Sequence, residues 1–233
     1  MGSSKKCVND RVLLTPRHPS PSRRGSSVRR MCMCGRYGGP REAEIHAGFL
    51  DVVAPFSNLP QYQDYRPTDL APVFVKNSVG ETVLKDMRWW FIPATHKGPL
   101  KDWKLTTFNA RLDDIHTKPT FKRAWDLKRR VLVPASHYYE WTGPAGAKTC
   151  WRVESAGHQP LAFAGLWDHA NTAEGQVLSF AILTREAGAA MTRLHPREPV
   201  VLEPNAWQAW LDGADDLPIA TAWDDRAFTV KAA

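Results

Sequence analysis

Hydrophobic and polar positions divide the chain at Met31. Residues 1–30 hold six serines and three prolines and show no sustained apolar period. So little apolar surface cannot offset the entropy of ordering, which predicts disorder. From Met31 onward, short apolar runs recur between turn signals. Gly39-Pro40 predicts a helix start, with Ile45, Phe49, Val52 and Val53 on its apolar face. Pro55 to Pro72 reads as a proline-punctuated loop. Val73–Val75 and Thr82–Ile92 favour extended structure, with Gly80-Glu81 at the turn of a hairpin. Asn109 and Arg111 alternate along a further extended segment, and Pro119 to Trp125 reads as a short helix.

Val131–Pro134 and Tyr138–Trp141 are two strand signals around a bend. Trp151–Val153, Leu161–Trp167 and Val177–Thr184 predict three more strands. Arg185 to Leu194 reads as a helix delivering His195-Pro196-Arg197 into a loop. A short strand follows at Pro199–Leu202, then a helix from Pro204 to Leu211 with Trp207 and Trp210 on one side. Many short strands, few helices and no regular β–α alternation predict an α+β class: a single domain with a mixed, mainly antiparallel β-sheet core and a few flanking helices.

Charge sharpens the division. Residues 1–30 carry eight basic residues against one acid, leaving 23 basic and 23 acidic residues in 31–233. The overall charge of +7 therefore belongs to the first thirty residues. They read as a basic, disordered extension or as a start placed too far upstream, and their Arg/Ser-rich, acid-poor composition also resembles an organellar transit peptide. Residues 31–233 must take any nucleic-acid affinity from a local patch. One such patch lies between Lys118 and Arg130, with six basic residues and the single acid Asp126. Four cysteines without framework spacing predict a reducing compartment, and a cytoplasmic location is expected. No apolar run approaches the roughly 18 residues of a membrane-spanning helix, so no membrane partner is expected.

Cys34 is the residue of chemical interest. It follows Met33 and precedes Gly35-Arg36, a context in which it can become the first residue of a mature chain. An α-amine titrates near 7.7–8.0, so roughly 10–15% is neutral at pH 7, far more than for a lysine. Such an amine forms a Schiff base with an aldehyde, and the neighbouring thiol can close a five-membered thiazolidine on it. An ordinary buried cysteine is the alternative. Asn109 and Arg111 suit a backbone group and a phosphate, or a plain polar surface. Glu140, between Tyr139 and Trp141, suits an acid/base role or a solvent-facing strand position. His195 suits proton transfer or a structural role. Trp89, Trp90 and Trp141 lie near basic or polar candidates, as in single-strand stacking platforms. Cys32-x-Cys34 lacks a second paired motif, so no metal is expected.

Together these segments resemble the SOS-response-associated peptidase (SRAP) family, which includes abasic-site-processing proteins. Met33-Cys34-Gly35-Arg36-Tyr37, Trp89 to Pro93, Asn109-Ala110-Arg111, Leu132 to Trp141 and Leu194-His195-x-Arg197-x-Pro199 occur in the family's order. The resemblance implies a protein, expected to be monomeric and cofactor-free, that binds single-stranded DNA and covalently traps abasic sites. It implies Cys34 as crosslinking nucleophile, Asn109 positioning it, Glu140 as acid/base and His195 assisting sugar ring opening. It further implies that Arg36, Arg111 and Arg197 contact phosphates, with Trp89 and Trp141 against the DNA. Weak lyase and self-processing peptidase activities belong to the same expectation. Thiol peptidase and non-covalent DNA-binding module are the rival readings. Where the family has Trp-Gly-Leu, this chain has Trp89-Trp90-Phe91.

Overall fold

Along the strand Leu70–Lys76, Ala71, Val73 and Val75 enter one hydrophobic cluster and Phe74 another, and the rest of the fold follows from that partition. A computed structural model describes residues 34–40, 64–157, 159–216 and 228–233. The expected helix over Ile45 to Val53, Cys32 and the basic extension 1–30 lie outside the described residues.

The described strands are β1 (Tyr37–Gly38), β2 (Asp64–Tyr65), β3 (Leu70–Lys76), β4 (Thr82–Trp89), β5 (Asn109–Arg111) and β6 (Arg130–Ala135). They continue with β7 (His137–Thr142), β8 (Thr149–Ser155), β9 (Leu161–Thr172), β10 (Gly175–Glu186), β11 (Arg197–Pro199) and β12 (Phe228–Ala232). The described helices are α1 (Pro119–Asp126), α2 (Ala189–Thr192) and α3 (Trp207–Leu211). One sheet runs β11-β10-β4-β3-β6-β9. Because β9 also pairs β10, strands β10, β4, β3, β6 and β9 close into a ring. Closure leaves those strands few free edges. The second sheet, β12-β8-β7-β1-β2, is antiparallel. Only β10's pairings with β4 and β5 are parallel among the described ladders, which makes the class α+β with a mixed sheet.

Period-two alternation explains the core. Ala71, Val73 and Val75 of β3 and Val131, Val133 and Ala135 of β6 join Trp89, Phe163, Phe180 and Ile182 in one buried cluster. Phe74 and Leu132 face the other way, with Ala164, Leu166, Ala181 and Leu183. Helices α1 and α3 cover that second face through Phe121, Ala124, Trp125, Trp207, Trp210 and Leu211. Gly165 marks the tightest point of the β9–β10 pairing. A Cβ there would stand 2.6 Å from both the Ala181 carbonyl oxygen and Val131 Cγ2.

Two expected elements change. The helix over Arg185–Leu194 shrinks to α2, because Arg185 and Glu186 continue β10 and pair with Glu198 and Arg197 of β11. Ladder hydrogen bonds and the Arg185–Glu198 ion pair outweigh local helical periodicity there. The strand expected at Pro199–Leu202 is shifted to Arg197–Pro199. Beyond it, Val200 N–H donates to Leu183 O and Leu202 N–H to Ala162 O, so the segment lies between β10 and β9. The expected loop before Pro72 also contains β2 and the start of β3.

Candidate active site

Ser136 is the corner at which the chain passes from β6 of the ring into β7 of the second sheet. Its N–H donates to Gly38 O at 2.9 Å, which fixes β1 against the start of β7. In that register Tyr37 faces Tyr138 and Gly38 faces His137, so the chain from Cys34 to Gly38 runs antiparallel beside β7. Cys34 therefore arrives beside Glu140. Its main-chain N–H donates to Glu140 Oε1 at 2.8 Å, and both residues are buried.

Alternation along β7 separates two environments. Tyr138 and Glu140 lie on Cys34's side. His137, Tyr139 and Trp141 share the opposite side, with ring centroids 4.9 Å and 6.2 Å apart along the row. Glu140 is only 3% exposed. Burial pushes its pKa up to about 8, against the opposing pull of N–H groups from Cys34 and Trp141. Burial, and next the Glu140 charge, raise the Cys34 thiol well above its ordinary value. At neutral pH the pair is thus mainly a carboxylic acid and a thiol. Cys34 also has φ of +34°, a left-handed conformation that disfavours a residue with a Cβ.

Among the described residues Asn109 and His195 make no hydrogen bond to Cys34 or Glu140, but their chain neighbours share the Cys34 cluster. Phe108, before Asn109, and Met191 and Leu194, before His195, pack in the same cluster as Cys34. Asn109 is half-buried on β5, held by its parallel register with Ile182 of β10. His195 follows α2, with its N–H donating to Met191 O at 3.1 Å. Its Nδ1 lies 3.1 Å from both the main-chain nitrogen and the carbonyl oxygen of Arg197, which fixes the ring against the start of β11.

The three arginines expected at phosphates all meet carboxylates. Arg36 pairs with Asp64 and stacks over the Tyr139 ring, 4.5 Å from its centroid. Arg111 and Arg197 both pair with Asp113. Trp141 is half-buried near the sheet surface. Trp89 requires a correction. It lies wholly within the core, donates Nε1–H to Phe108 O at 2.8 Å, and packs against Tyr37, Phe108 and Phe180. The outward alternative at this turn is Trp90, half-buried against Phe108.

The basic segment 118–130 is also less cationic than its composition implies. Lys118 pairs with Asp114, Lys122 with Asp126, Arg123 and Arg129 with Asp168, and Lys128 and Arg130 with Asp215. Arg130 is buried between Trp125 and Trp210, 3.9 Å and 4.7 Å from the ring centroids. These acids are distant in sequence or on the next turn, so a window count misses most of them. Asp64, Asp113 and His137 also escape sequence reading. His137 is fully buried, its Nδ1 2.8 Å from Ser136 Oγ, and burial lowers its pKa to about 4. The only sequence hint for Asp113 is an acid two positions beyond Arg111.

Fold and site define an α+β protein built around a buried cysteine whose main-chain nitrogen is held by a buried carboxyl group. The chain belongs to the SOS response associated peptidase (SRAP) family, whose profile matches residues 33–226. It is 29% identical over 196 residues to the abasic site processing protein YoqW of Bacillus subtilis (strain 168), covering 80% of this chain and 83% of that protein. The abasic site processing protein HMCES of Gallus gallus is 28% identical over 158 residues, covering 58% of this chain and 47% of that protein. A crystal structure of a Bordetella bronchiseptica protein superposes with a TM-score of 0.74 at 25% identity, covering 86% of this chain and 99% of that one.

Proposed function

We propose that this protein processes abasic sites by binding single-stranded DNA and trapping the lesion covalently through Cys34. The observation that carries this reading is the 2.8 Å contact between the Cys34 main-chain nitrogen and Glu140 Oε1. In a chain that begins at Cys34 that nitrogen is an α-amine. It adds to the aldehyde carbon of the ring-opened abasic sugar, and the carbinolamine loses water to give an imine. The thiol sulfur then adds to the imine carbon, and its proton passes to the nitrogen, leaving a thiazolidine. The overall balance is the loss of one water.

Glu140, whose burial favours the protonated carboxyl, is suited to give a proton to the departing hydroxyl and take it back during reversal. His195 serves ring opening and Asn109 orients the amine. Arg36, Arg111 and Arg197 hold phosphates, with Trp141 packing against bases. At the imine stage the adjacent sugar C–H is acidified, so β-elimination of the 3′ phosphate gives a weak lyase activity.

The same nitrogen supports a second activity, removal of the preceding residues. The thiol adds to the Met33 carbonyl carbon, the C–N bond breaks, and Glu140 protonates the Cys34 nitrogen as it leaves. Water then hydrolyses the resulting thioester. The φ of +34° favours this outcome. A left-handed residue costs about 1–2 kcal/mol, and an N-terminal residue has no such torsion to strain.

Intact mass spectrometry after incubation with single-stranded DNA carrying one abasic site tests the reading. The expected result is a chain beginning at Cys34 that gains one oligonucleotide mass, stable to denaturation and absent in Cys34→Ala. A Cys34→Ala protein that still gains that mass overturns it.

A further inference from the structure

Arg111 and Arg197 reach the same carboxylate from different strands. Arg111 ends β5, in parallel register with Thr184, and Arg197 begins β11, opposite Glu186. They thus flank the last residues of β10. Asp113 sits on the 3₁₀ turn Leu112–Asp114 that follows β5 directly. Arg111 donates to Asp113 Oδ2 at 3.0 Å, and Arg197 approaches both carboxylate oxygens, with 3.2 Å to Oδ1.

We propose that Asp113 is an internal competitor for phosphate: its carboxylate occupies Arg111 and Arg197 in the DNA-free protein and limits how tightly ordinary single-stranded DNA is held. This rests on the reading that the two arginines bind the DNA backbone.

Three observations support it. A carboxylate and a phosphodiester each present two oxygens to guanidinium forks, so one can take the other's place. Asp113 is open to displacement, because its side chain is 43% exposed and its pair with Arg111, itself 58% exposed, is of the weakly held surface kind. The neighbouring Arg185–Glu198 pair provides the contrast. There the glutamate is only 4% exposed, and the pair joins two paired strand residues, so it is a fixed part of the fold.

The site would also survive loss of the competitor. Arg197 donates separately to Thr184 O at 2.7 Å, which keeps its guanidinium in place. With Asp113 present the cluster carries one net positive charge, and without it two. An undamaged strand must displace Asp113 for every binding event, whereas a lesion is retained by a covalent bond. Asp113 therefore favours discrimination over residence on undamaged DNA.

The test is fluorescence anisotropy with a labelled, undamaged single-stranded oligonucleotide, from about 50 to about 200 mM salt. Asp113→Asn is expected to bind about threefold more tightly at the lower salt. Its log–log salt slope should be steeper by about 0.7, the value of one additional phosphate contact on a single strand. Asp113→Glu should retain wild-type affinity and slope, because a purely structural role would not follow charge in this way. Equal or weaker binding by Asp113→Asn, with an unchanged slope, overturns the proposal. Abasic adduct formation is measured on the same proteins. If adducts form normally while Asp113→Asn binds undamaged DNA like wild type, the competitor role alone fails. If wild type neither binds the strand nor forms an adduct, the DNA-binding reading beneath it fails as well.

Discussion

Glu140→Gln separates the charge of the buried acid from its shape. Glutamine keeps an oxygen that accepts the Cys34 N–H but cannot titrate. In the wild type, burial raises the Glu140 pKa to about 8 while Cys34 N–H is a main-chain amide. An unfolded glutamate titrates near 4.3. Between those values the folded chain binds more protons than the unfolded one, so stability is greatest below the unfolded pKa. It falls as pH rises and levels off once the folded carboxyl has ionised. At about 1.4 kcal/mol per pKa unit the loss has a ceiling of about 5 kcal/mol. Relaxation and water entry around a buried charge reduce the expected loss to about 2–3 kcal/mol.

The assay is urea unfolding followed by tryptophan fluorescence, across pH 5 to 9, on the chain that retains the residues before Cys34. Wild type should lose stability through this window and Glu140→Gln should lose about 2–3 kcal/mol less. Parallel curves for the two proteins would refute the reasoning. A second arm uses the chain beginning at Cys34, where an ammonium replaces the amide 2.8 Å from Glu140 Oε1. An opposite charge that close lowers a carboxyl pKa by about 1–3 units, so the pH-dependent loss should shrink. In adduct formation, Glu140→Gln is expected to be about 100-fold slower, the usual scale for losing one acid/base group.

Trp89 and Trp141 give a paired prediction. Trp89→Ala should destabilise by about 3–5 kcal/mol in chemical denaturation, as expected for a large core side chain. Trp141→Ala should cost little stability but weaken single-strand binding by about 1–3 kcal/mol in anisotropy titrations. The reverse pattern would return Trp89 to the DNA surface. Gly165→Ala should destabilise by about 1–3 kcal/mol, because the new Cβ meets a strand carbonyl oxygen at 2.6 Å that cannot rotate away. A variant melting at the wild-type temperature would show that the β9–β10 pairing has room the geometry denies.

The limits of sequence reading follow from what each residue interacts with. The Thr82 strand, the Pro119 helix and the Trp207/Trp210 face were legible because alternation, Pro at a first helical position and three-residue spacing are local signals. Arg185 and Glu186 were misread because their strand pairing depends on β11, more than ten residues away. Trp89 and Trp90 are adjacent and chemically identical. Only the direction of the strand end decides that one lies in the core and the other half-emerges.

The sequence by itself determined the α+β class, the separation of a basic first segment from a charge-balanced remainder, and the cysteine, asparagine, glutamate and histidine worth following. Those depend on composition and short-range order. Tertiary structure alone decided that Cys34 meets Glu140 across 106 residues and that the predicted phosphate arginines are already engaged by Asp64 and Asp113. It also decided that the segment around Arg130 is a paired and partly buried network. Electrostatic partners and burial act through space, and chain order does not record which strands a closed ring brings side by side.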